Sequence, residues 1–362
     1  MGVCVPHQAD HGISIEIPVT PARLRCSTGE MQIHTVRPAD LGIATAGELA
    51  AVRNRVDALD APHVPEETGQ ILRLRLQHSW DGEGTERVLM ARDERGRLLG
   101  FAALDMPTYD NRTLIWFDLL VEPQARRQGV GSALLEEVGK VAAEVGRGLL
   151  MSGAWYGSAG TTFLKRHGFV QASVAAQRRL YPQQLPREGD AALLEQARAA
   201  SRGYELLRVS GPLPEQMHAQ MLSTVDAIND APLDDLELED DNFTVERLRG
   251  YDAAQLAQQH RLYRMVALSR DDGKPAGHTV VAVDGLRPHH GEQHDTTVRR
   301  EHRGHRLGLR LKLELLEWLR EVEPQLLRID TWNQESNGPM IAVNDLIGCT
   351  VVGREAEFQR HV

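Results

Sequence analysis

Three cysteines in 362 residues (Cys4, Cys26 and Cys349) are too few for a disulfide framework, and none forms a C-x-x-C pair. That usage suits a reducing, cytoplasmic setting. No run approaches the ~18 consecutive apolar residues that a bilayer-spanning helix needs, which rules out an integral membrane protein. The first thirty residues hold His7, Asp10, Glu16 and Pro18 but no basic stretch followed by an apolar one, so no secretory signal is visible. Basic side chains are outnumbered 41 to 51, and a formal charge of -10 repels phosphate backbones and argues against a general nucleic-acid binder. The remainder is ordinary globular material: 41% hydrophobic and 25% charged, with a length that predicts two domains.

Residues 1–30 carry Pro6, Pro18 and Pro21 without periodicity and are expected to be a poorly ordered leader. From Met31 the pattern predicts a strand to Arg37, helices over 38–60 and 66–80, and strands over 87–92, 98–105 and 113–121. A helix after Gly131, a strand over 148–154 and a helix over 158–167 ending at Gly168 follow. Pro182, Pro186 and Gly189 then lead into an alanine-rich stretch, read as a linker over 182–203 with a helical portion. Beyond it the order recurs, ending in a helix over 339–346. An offset of 177 residues maps Asp118, Val121, Arg126, Gly131 and Trp155 onto Asp295, Val298, Arg303, Gly308 and Trp332 without a gap. Two copies of one αβ domain are expected, over 31–181 and 204–362.

The sharpest local signal is Arg126-Arg127-Gln128-Gly129-Val130-Gly131-Ser132, between an apolar strand and a long helix. Glycines there let the backbone approach a ligand, and successive N–H groups at a helix start form an anion site that suits a diphosphate. A tight turn with exposed arginines is the plain alternative. A dinucleotide fingerprint would open the first strand–helix unit, whereas three strands precede these glycines. A P-loop would need Gly-Lys-Ser/Thr, which is absent.

The stretch resembles the pyrophosphate loop of the GNAT (GCN5-related N-acetyltransferase) superfamily, Arg/Gln-x-x-Gly-x-Gly/Ala. Phe117-Asp118-Leu119-Leu120-Val121 is similar to that family's fourth strand, and Phe163 to Phe169 to its final helix and turn. The second copy resembles it too, through Arg303-Gly304-His305-Arg306-Leu307-Gly308 and Asn337-x-x-Met340-x-x-x-Asn344, with Arg306 where a glycine is usual. The layout is similar to that of mycothiol synthase and other two-domain acyltransferases of actinobacterial type.

The resemblance implies an α/β (α+β) fold: two tandem domains, each a mixed, mostly antiparallel sheet with helices on both faces. A splayed parallel strand pair would bind acetyl-CoA or another acyl-CoA beside a bulge in the fourth strand. Leu120 and Val121, with Arg126, Arg127, Gln128, Gly129, Val130, Gly131 and Ser132, would hold it in the first copy. The second set is Thr297, Val298, Arg303, Gly304, His305, Arg306, Leu307, Gly308, Leu309 and Asn337. With Gly129 in place, the first copy is expected to bind the cofactor at least as well as the second. Asp118 and Asp295 are candidate bases, each with a surface carboxylate as the alternative. The usual acid, a tyrosine four residues before the final-helix glycine, is replaced by Leu164 and Asn344.

Among other features, the acidic stretch with Asp234, Asp235, Glu237 and Glu239 is either a solvated loop or a rim that attracts a cationic amine. His289, His290 and His294 read as solvated loop histidines, and no metal site is expected. Trp155 and Trp332 are expected to fill core or interdomain space. The expected activity is N-acetylation of a small, cationic amine. The alternatives are a non-catalytic CoA-binding or interaction protein, and an acyltransferase acting on a protein or peptide amine. No nucleic-acid or membrane partner is expected; a homodimer stays open.

Overall fold

The computed structural model describes residues 22–26, 29–82, 85–185, 187 and 189–362. The first half runs β1 (Ala22–Cys26), β2 (Gly29–Val36), α1 (Ile43–Asp60), α2 (Gly69–His78), β3 (Thr85–Asp93), β4 (Leu98–Asp105), β5 (Leu114–Val121), α3 (Val130–Val145), β6 (Leu149–Trp155), α4 (Ala159–Arg166) and β7 (Val170–Leu180). Then come α5 (Asp190–Ala200), β8 (Tyr204–Ser210), α6 (His218–Val225), α7 (Val245–Ala257), β9 (His260–Ser269), β10 (Pro275–Asp284), β11 (His290–Val298), α8 (Leu307–Val322), β12 (Arg328–Gln334), α9 (Gly338–Leu346) and β13 (Thr350–His361). The 177-residue offset holds in space: α3 and α8 share it at both ends.

Side-chain alternation along the strands divides the sheet into two covered faces. On β3, Val88 and Met90 pack with the α1 and α2 residues Leu49, Val52, Leu72 and Leu76, while Leu89 and Ala91 pack with Leu134 and Val138 of α3. The second half repeats this, with Met265 and Ala267 facing α8 and Val266 facing α6 and α7. In α3 the apolar residues Val130, Leu134, Leu135, Val138, Val141 and Ala142 form one buried stripe.

The two halves do not keep separate sheets. One thirteen-stranded sheet runs in the order β1-β2-β3-β4-β5-β6-β13-β7-β12-β11-β10-β9-β8. The last strand, β13, lies between β6 and β7 of the first half, and the other edge of β7 pairs with β12 of the second. Ala356 and Phe358 of β13 are therefore fully buried in the first half's core, beside Phe117, Leu150 and Phe169. Leu180 of β7 belongs to the second half's core. Strand pairing thus crosses the sequence boundary between 31–181 and 204–362.

At that seam Arg179 donates from Nε and Nη2 to the two carboxylate oxygens of Asp330, at 2.6 and 2.7 Å. Both side chains are buried, so removing one partner would strand a charge in the interior. Trp155 and Trp332, equivalent by duplication, meet here with ring centroids 5.6 Å apart.

Three segments depart from the sequence expectations or add to them. Residues 22–26, assigned to the leader, form a strand paired antiparallel with β2; residues 1–21 and 27–28 lie outside the described residues. The linker carries α5, whose Leu194 and Ala197 are buried in the second half's core. The acidic segment is a strap laid over the first half: Leu233, Leu236 and Leu238 pack with Leu114, Leu149, Met151 and Ala172.

Because β13 serves the first half's core, Phe358→Ala should cost about 3–5 kcal/mol, the range for a buried aromatic truncated in a packed interior. Urea unfolding followed by tryptophan fluorescence should show one transition shifted as a whole. A separate transition for residues 204–362 would contradict the shared sheet.

Candidate active site

Parallel pairing between β11 and β12 lasts for three residue pairs, from His290↔Arg328 to Glu292↔Asp330, and β5 and β6 pair over the same short length. Past Glu292 the strands part and leave a cleft of about 580 Å³ in the second copy. Its walls are His294 to Val298 of β11, the turn entering α8, Lys312, Thr331 to Asn333 of β12, and Asn337 and Met340 of α9.

A bulge shapes this cleft. β10 and β11 pair as Thr279↔Thr296 and next as Val281↔Gln293, so β11 advances three residues while β10 advances two. The extra residue lies at His294-Asp295 and turns side chains there out of regular alternation. In the first copy β4 and β5 keep unbroken register from Gly100↔Val121 to Asp105↔Trp116. The expected fourth-strand bulge is therefore present in the second copy alone.

The anion cradle follows the same division. Arg306 adopts the left-handed conformation (φ 51°, ψ 24°) that Gly129 adopts at the equivalent helix cap, at a cost of roughly 1–2 kcal/mol for a residue with a Cβ. Its guanidinium donates to Gln196 of α5 at 3.0 Å. The first helical bond of α8 runs from Arg310 N–H to the Arg306 carbonyl, which leaves the amides of Leu307, Gly308 and Leu309 open. A Cβ on Gly308 would find its nearest neighbour, Val298 Cγ2, at 3.8 Å. On Gly131 it would meet the Phe163 ring at 3.1 Å and Val121 Cγ2 at 3.5 Å. Phe163 occupies the space that the second copy leaves open.

Several expected cofactor contacts are committed to the protein itself. Arg126 bonds the Val121 carbonyl and pairs with Asp60 at 2.7 Å; Arg303 does the same with the Val298 carbonyl and Asp230. Both arginines brace the end of the fourth strand; Asp60 matches the charge of Arg126, while Asp230 is shared between Arg303 and Arg300. Ser132 Oγ is 3.1 Å from His167 Nε2, and Gln128 donates to the Gln124 carbonyl. Leu120 and Val121 pack on opposite cores. Thr297 is buried and donates to the Thr224 carbonyl, while Asn337 caps α9 by accepting from Met340 N–H. Leu307 and Leu309 are core residues, so only their amides can face a ligand.

The two equivalent aspartates have opposite fates. Burial acts to raise the pKa of Asp118, but Arg53 at 2.8 Å, with Arg75 nearby, outweighs it and holds the carboxyl below the usual range. Asp118 is a structural ion-pair partner and a poor base. Asp295, half-buried at the bulge, has no ion pair among the described residues. Burial pushes its pKa up to about 6, against the charge of Arg264 and with that of Asp241.

The predicted substrate carboxylates lie elsewhere, on the strap. Asp234 accepts from Ser173 at 2.7 Å, Glu237 lies 3.1 Å from His361, and Glu239 exchanges hydrogen bonds with Asn111. The backbone amide of Asp235 bonds the Ala172 carbonyl. None of the four lines the cleft; of that stretch, Asp230 does.

Two pockets reach the bulge from the α6–α7 face. One, of about 260 Å³, lies between the halves and is walled by Trp80 and Arg75 of the first and by Glu292, His294 and Arg287 of the second. The other, of about 80 Å³, holds Asp295, Arg264 and His278 among apolar side chains. His294, expected in a solvated loop, lies on β11 instead. Its ring is 4.3 Å from that of Trp80, its Nδ1 is 2.5 Å from the Tyr251 hydroxyl, and burial drops its pKa to about 3. His290 is likewise a buried β11 residue.

Three polar residues escaped the sequence reading although the duplication marks them. Lys312 stands where the first copy has Leu135, and His278 where it has Phe101, both at the 177-residue offset. Arg264 pairs with Val280 as Val88 pairs with Ala103. All three are buried, as are their apolar counterparts.

Comparison with known proteins fits this geometry. Residues 84–171 match the model of an acetyltransferase (GNAT) domain, and residues 233–344 that of the acetyltransferase (GNAT) family, together more than half of the chain. Among solved structures, a tandem GNAT protein from the clavulanic acid biosynthesis pathway, without acetyl-CoA, has a TM-score of 0.73 at 22% identity, over 91% of this chain and 98% of its own. A GCN5-related N-acetyltransferase from Sphaerobacter thermophilus gives 0.67 at 14% identity, over 91% and 95%. A GCN5-related glucosamine N-acetyltransferase region of a fungal multi-domain β-N-acetylglucosaminidase gives 0.62 at 14%, over 91% and 38%. At these identities the likeness is one of fold. No curated protein matches the chain by sequence.

The glycine pair separates the two copies experimentally. Gly308→Val should fold normally and weaken acetyl-CoA binding by about 1–3 kcal/mol, since the new side chain enters the anion turn. Gly131→Val should lower stability by about 1–3 kcal/mol through overpacking on Phe163 and leave affinity nearly intact. Calorimetry and thermal unfolding of both variants check this; the opposite assignment would move the donor site to the first copy.

Proposed function

This chain belongs to the GNAT superfamily of N-acetyltransferases, as a tandem protein, and from that premise we propose that its second copy transfers an acetyl group from acetyl-CoA to a small cationic amine. The observation that carries the reading is the bulge at His294-Asp295, because one extra residue connects the donor cleft with both pockets on the opposite face. The cleft and the open amides of Leu307, Gly308 and Leu309 suit a pantetheine arm and a diphosphate. When bound, acetyl-CoA supplies the acyl group as an activated thioester.

Charge selects the acceptor. The pocket between the halves is lined by five carboxylates, of which Glu67, Asp118 and Asp284 pair with Arg75, Arg53 and Arg287, leaving Asp105 and Glu292 without an arginine partner among the described residues. That excess of negative charge raises the local concentration of a cation, a task first expected of the strap. Asp295, with a pKa of about 6, is ionised at neutral pH and takes the proton the amine must lose. The charged and titratable groups around it are Arg264 of β9, His278 of β10, Tyr251 and Arg247 of α7, and Asp241 and Asp81 from the loops. Backbone N–H groups of β11 beyond Glu292, unpaired on the β12 side, are available to an oxyanion.

Binding without turnover is the second reading, favoured by Leu164 and Asn344 at the positions where a tyrosine acid is usual. Release of free thiol from acetyl-CoA across a panel of amines separates the two. Small cationic amines should lead the panel, with turnover falling as pH drops through about 6, where Asp295 becomes protonated. Asp295→Asn should lower kcat by roughly 10²–10⁴-fold and remove that limb. Acetyl-CoA binding without thiol release from any amine would favour the second reading, and a panel led by anionic amines would overturn the charge argument.

A further inference from the structure

Lys312 is the least expected side chain near the donor cleft. It projects from the buried face of α8, is 3% exposed, and has no carboxylate partner among the described residues. Its Nζ donates to Asn344 Oδ1 at 2.9 Å, and Asn344 Nδ2 donates in turn to Asn333 Oδ1 at 2.6 Å. Lys312 and Asn333 both line the cleft, so this chain of three polar groups ends at the donor space. A buried ammonium without a counter-ion is costly, and the first copy shows the cheaper solution, Leu135 at the equivalent position, 4% exposed. A duplicated fold that keeps leucine in one copy and lysine in the other uses the lysine for something besides packing.

We propose that Lys312 is the proton donor to the thiolate that leaves when the acetyl group is transferred. The inference rests on the reading of the second copy as the working acetyltransferase. As the amine nitrogen bonds to the acyl carbon, the C–S bond breaks and its electron pair goes to sulfur. Sulfur takes a proton from Lys312 Nζ, leaving a neutral amine that solvent reprotonates. Asn344 is the positioning residue: it occupies the place of the absent tyrosine and holds Nζ by accepting one of its three hydrogens. Burial drops the pKa of Lys312 to about 8, close to that of an ordinary thiol, so donation is nearly balanced. The titratable groups around it are the Cys349 thiol just before β13 and, on the walls of the same cleft, Asp295 and His294 of β11, Arg303, Arg306, His302 and Asp230.

Lys312→Met removes the proton and keeps an apolar body where the first copy has leucine. With acetyl-CoA as donor, kcat should fall about 10²-fold and the loss of rate above pH 8 should vanish, while acetyl-CoA affinity changes less than about threefold. Asn344→Asp, which gives Lys312 a carboxylate partner, should move that limb to higher pH. A readout independent of turnover is the ultraviolet absorbance of the bound CoA thiolate, which should appear at lower pH on the native protein than on Lys312→Met. Calorimetry should likewise show that the native protein prefers CoA over desulfo-CoA and that the variant does not. Unchanged thiolate titration and unchanged preference would overturn the proposal even if turnover fell, because a structural lysine would give that result. If no amine is acetylated, the function reading fails, and the thiolate titration still decides the role of Lys312.

Discussion

The insertion of β13 between β6 and β7 is the constraint from which the working arrangement follows. A strand bonded on both edges cannot be withdrawn without exposing two rows of backbone groups, and this one also carries Phe358 into the first half's core. The exchange makes one rigid sheet of two copies and fixes how the first faces the second. Trp80 is thereby held against His294 and Tyr251, with its carbonyl accepting from Gln255 of α7 at 2.8 Å. Arg247 of α7 reaches back to Asp81 and Asp110 of the first half. One copy becomes a wall of the pocket between the halves.

Duplication also supplies an internal control. Asp118 and Asp295 occupy equivalent strand positions, yet one is neutralised by Arg53 and the other, at a bulge, has no ion pair among the described residues and a raised pKa. Their identity is the same and their environments set opposite chemistry. The glycines of the two turns diverge in the same way: Phe163 fills the space beside Gly131, and Gly308 faces an open cleft. Gly100 and Gly277 show what both copies kept. A Cβ on either would come within 2.6 or 2.7 Å of the next strand's carbonyl oxygen, at Leu120 or Thr297, so close approach of the third and fourth strands is required in each.

The sequence made the duplication, the strand–turn–helix at Gly131 and Gly308, and the long helices legible, because each depends on local chemistry: glycine, caps and an apolar stripe. The strands β7 and β13 were not assigned. β13 reads Thr-Val-Val-Gly-Arg-Glu-Ala-Glu-Phe-Gln-Arg-His, with too many charged residues for an alternating pattern, and its apolar contribution is little more than Ala356 and Phe358. Its place depends on a partner strand some two hundred residues away. The strap misled for a related reason. Its charges are conspicuous, and the leucines between them, Leu233, Leu236 and Leu238, decide where it lies. The bulge at His294-Asp295 is a one-residue register slip, and neither residue type announces it. Asp295 could be named from its alignment with Asp118, but the difference between them required the contacts.

The asymmetry of the copies has an energetic logic. Arg264, His278 and Lys312 replace Val88, Phe101 and Leu135, so the second copy gives up apolar burial at three core positions and buries polar groups in their place. Several of these atoms, both ring nitrogens of His278 and two of the guanidinium nitrogens of Arg264, find no partner among the described residues. Each such orphan costs ~1–3 kcal/mol, a large share of the ~5–15 kcal/mol that a domain commands. A lone domain carrying all three would be close to unfolding. Here the second copy's sheet is continuous with that of a copy whose equivalent positions are apolar, joined to it by the Arg179–Asp330 pair and the exchanged strands. The polar interior of the second copy is therefore carried by a sheet whose first half keeps an apolar core at the equivalent positions.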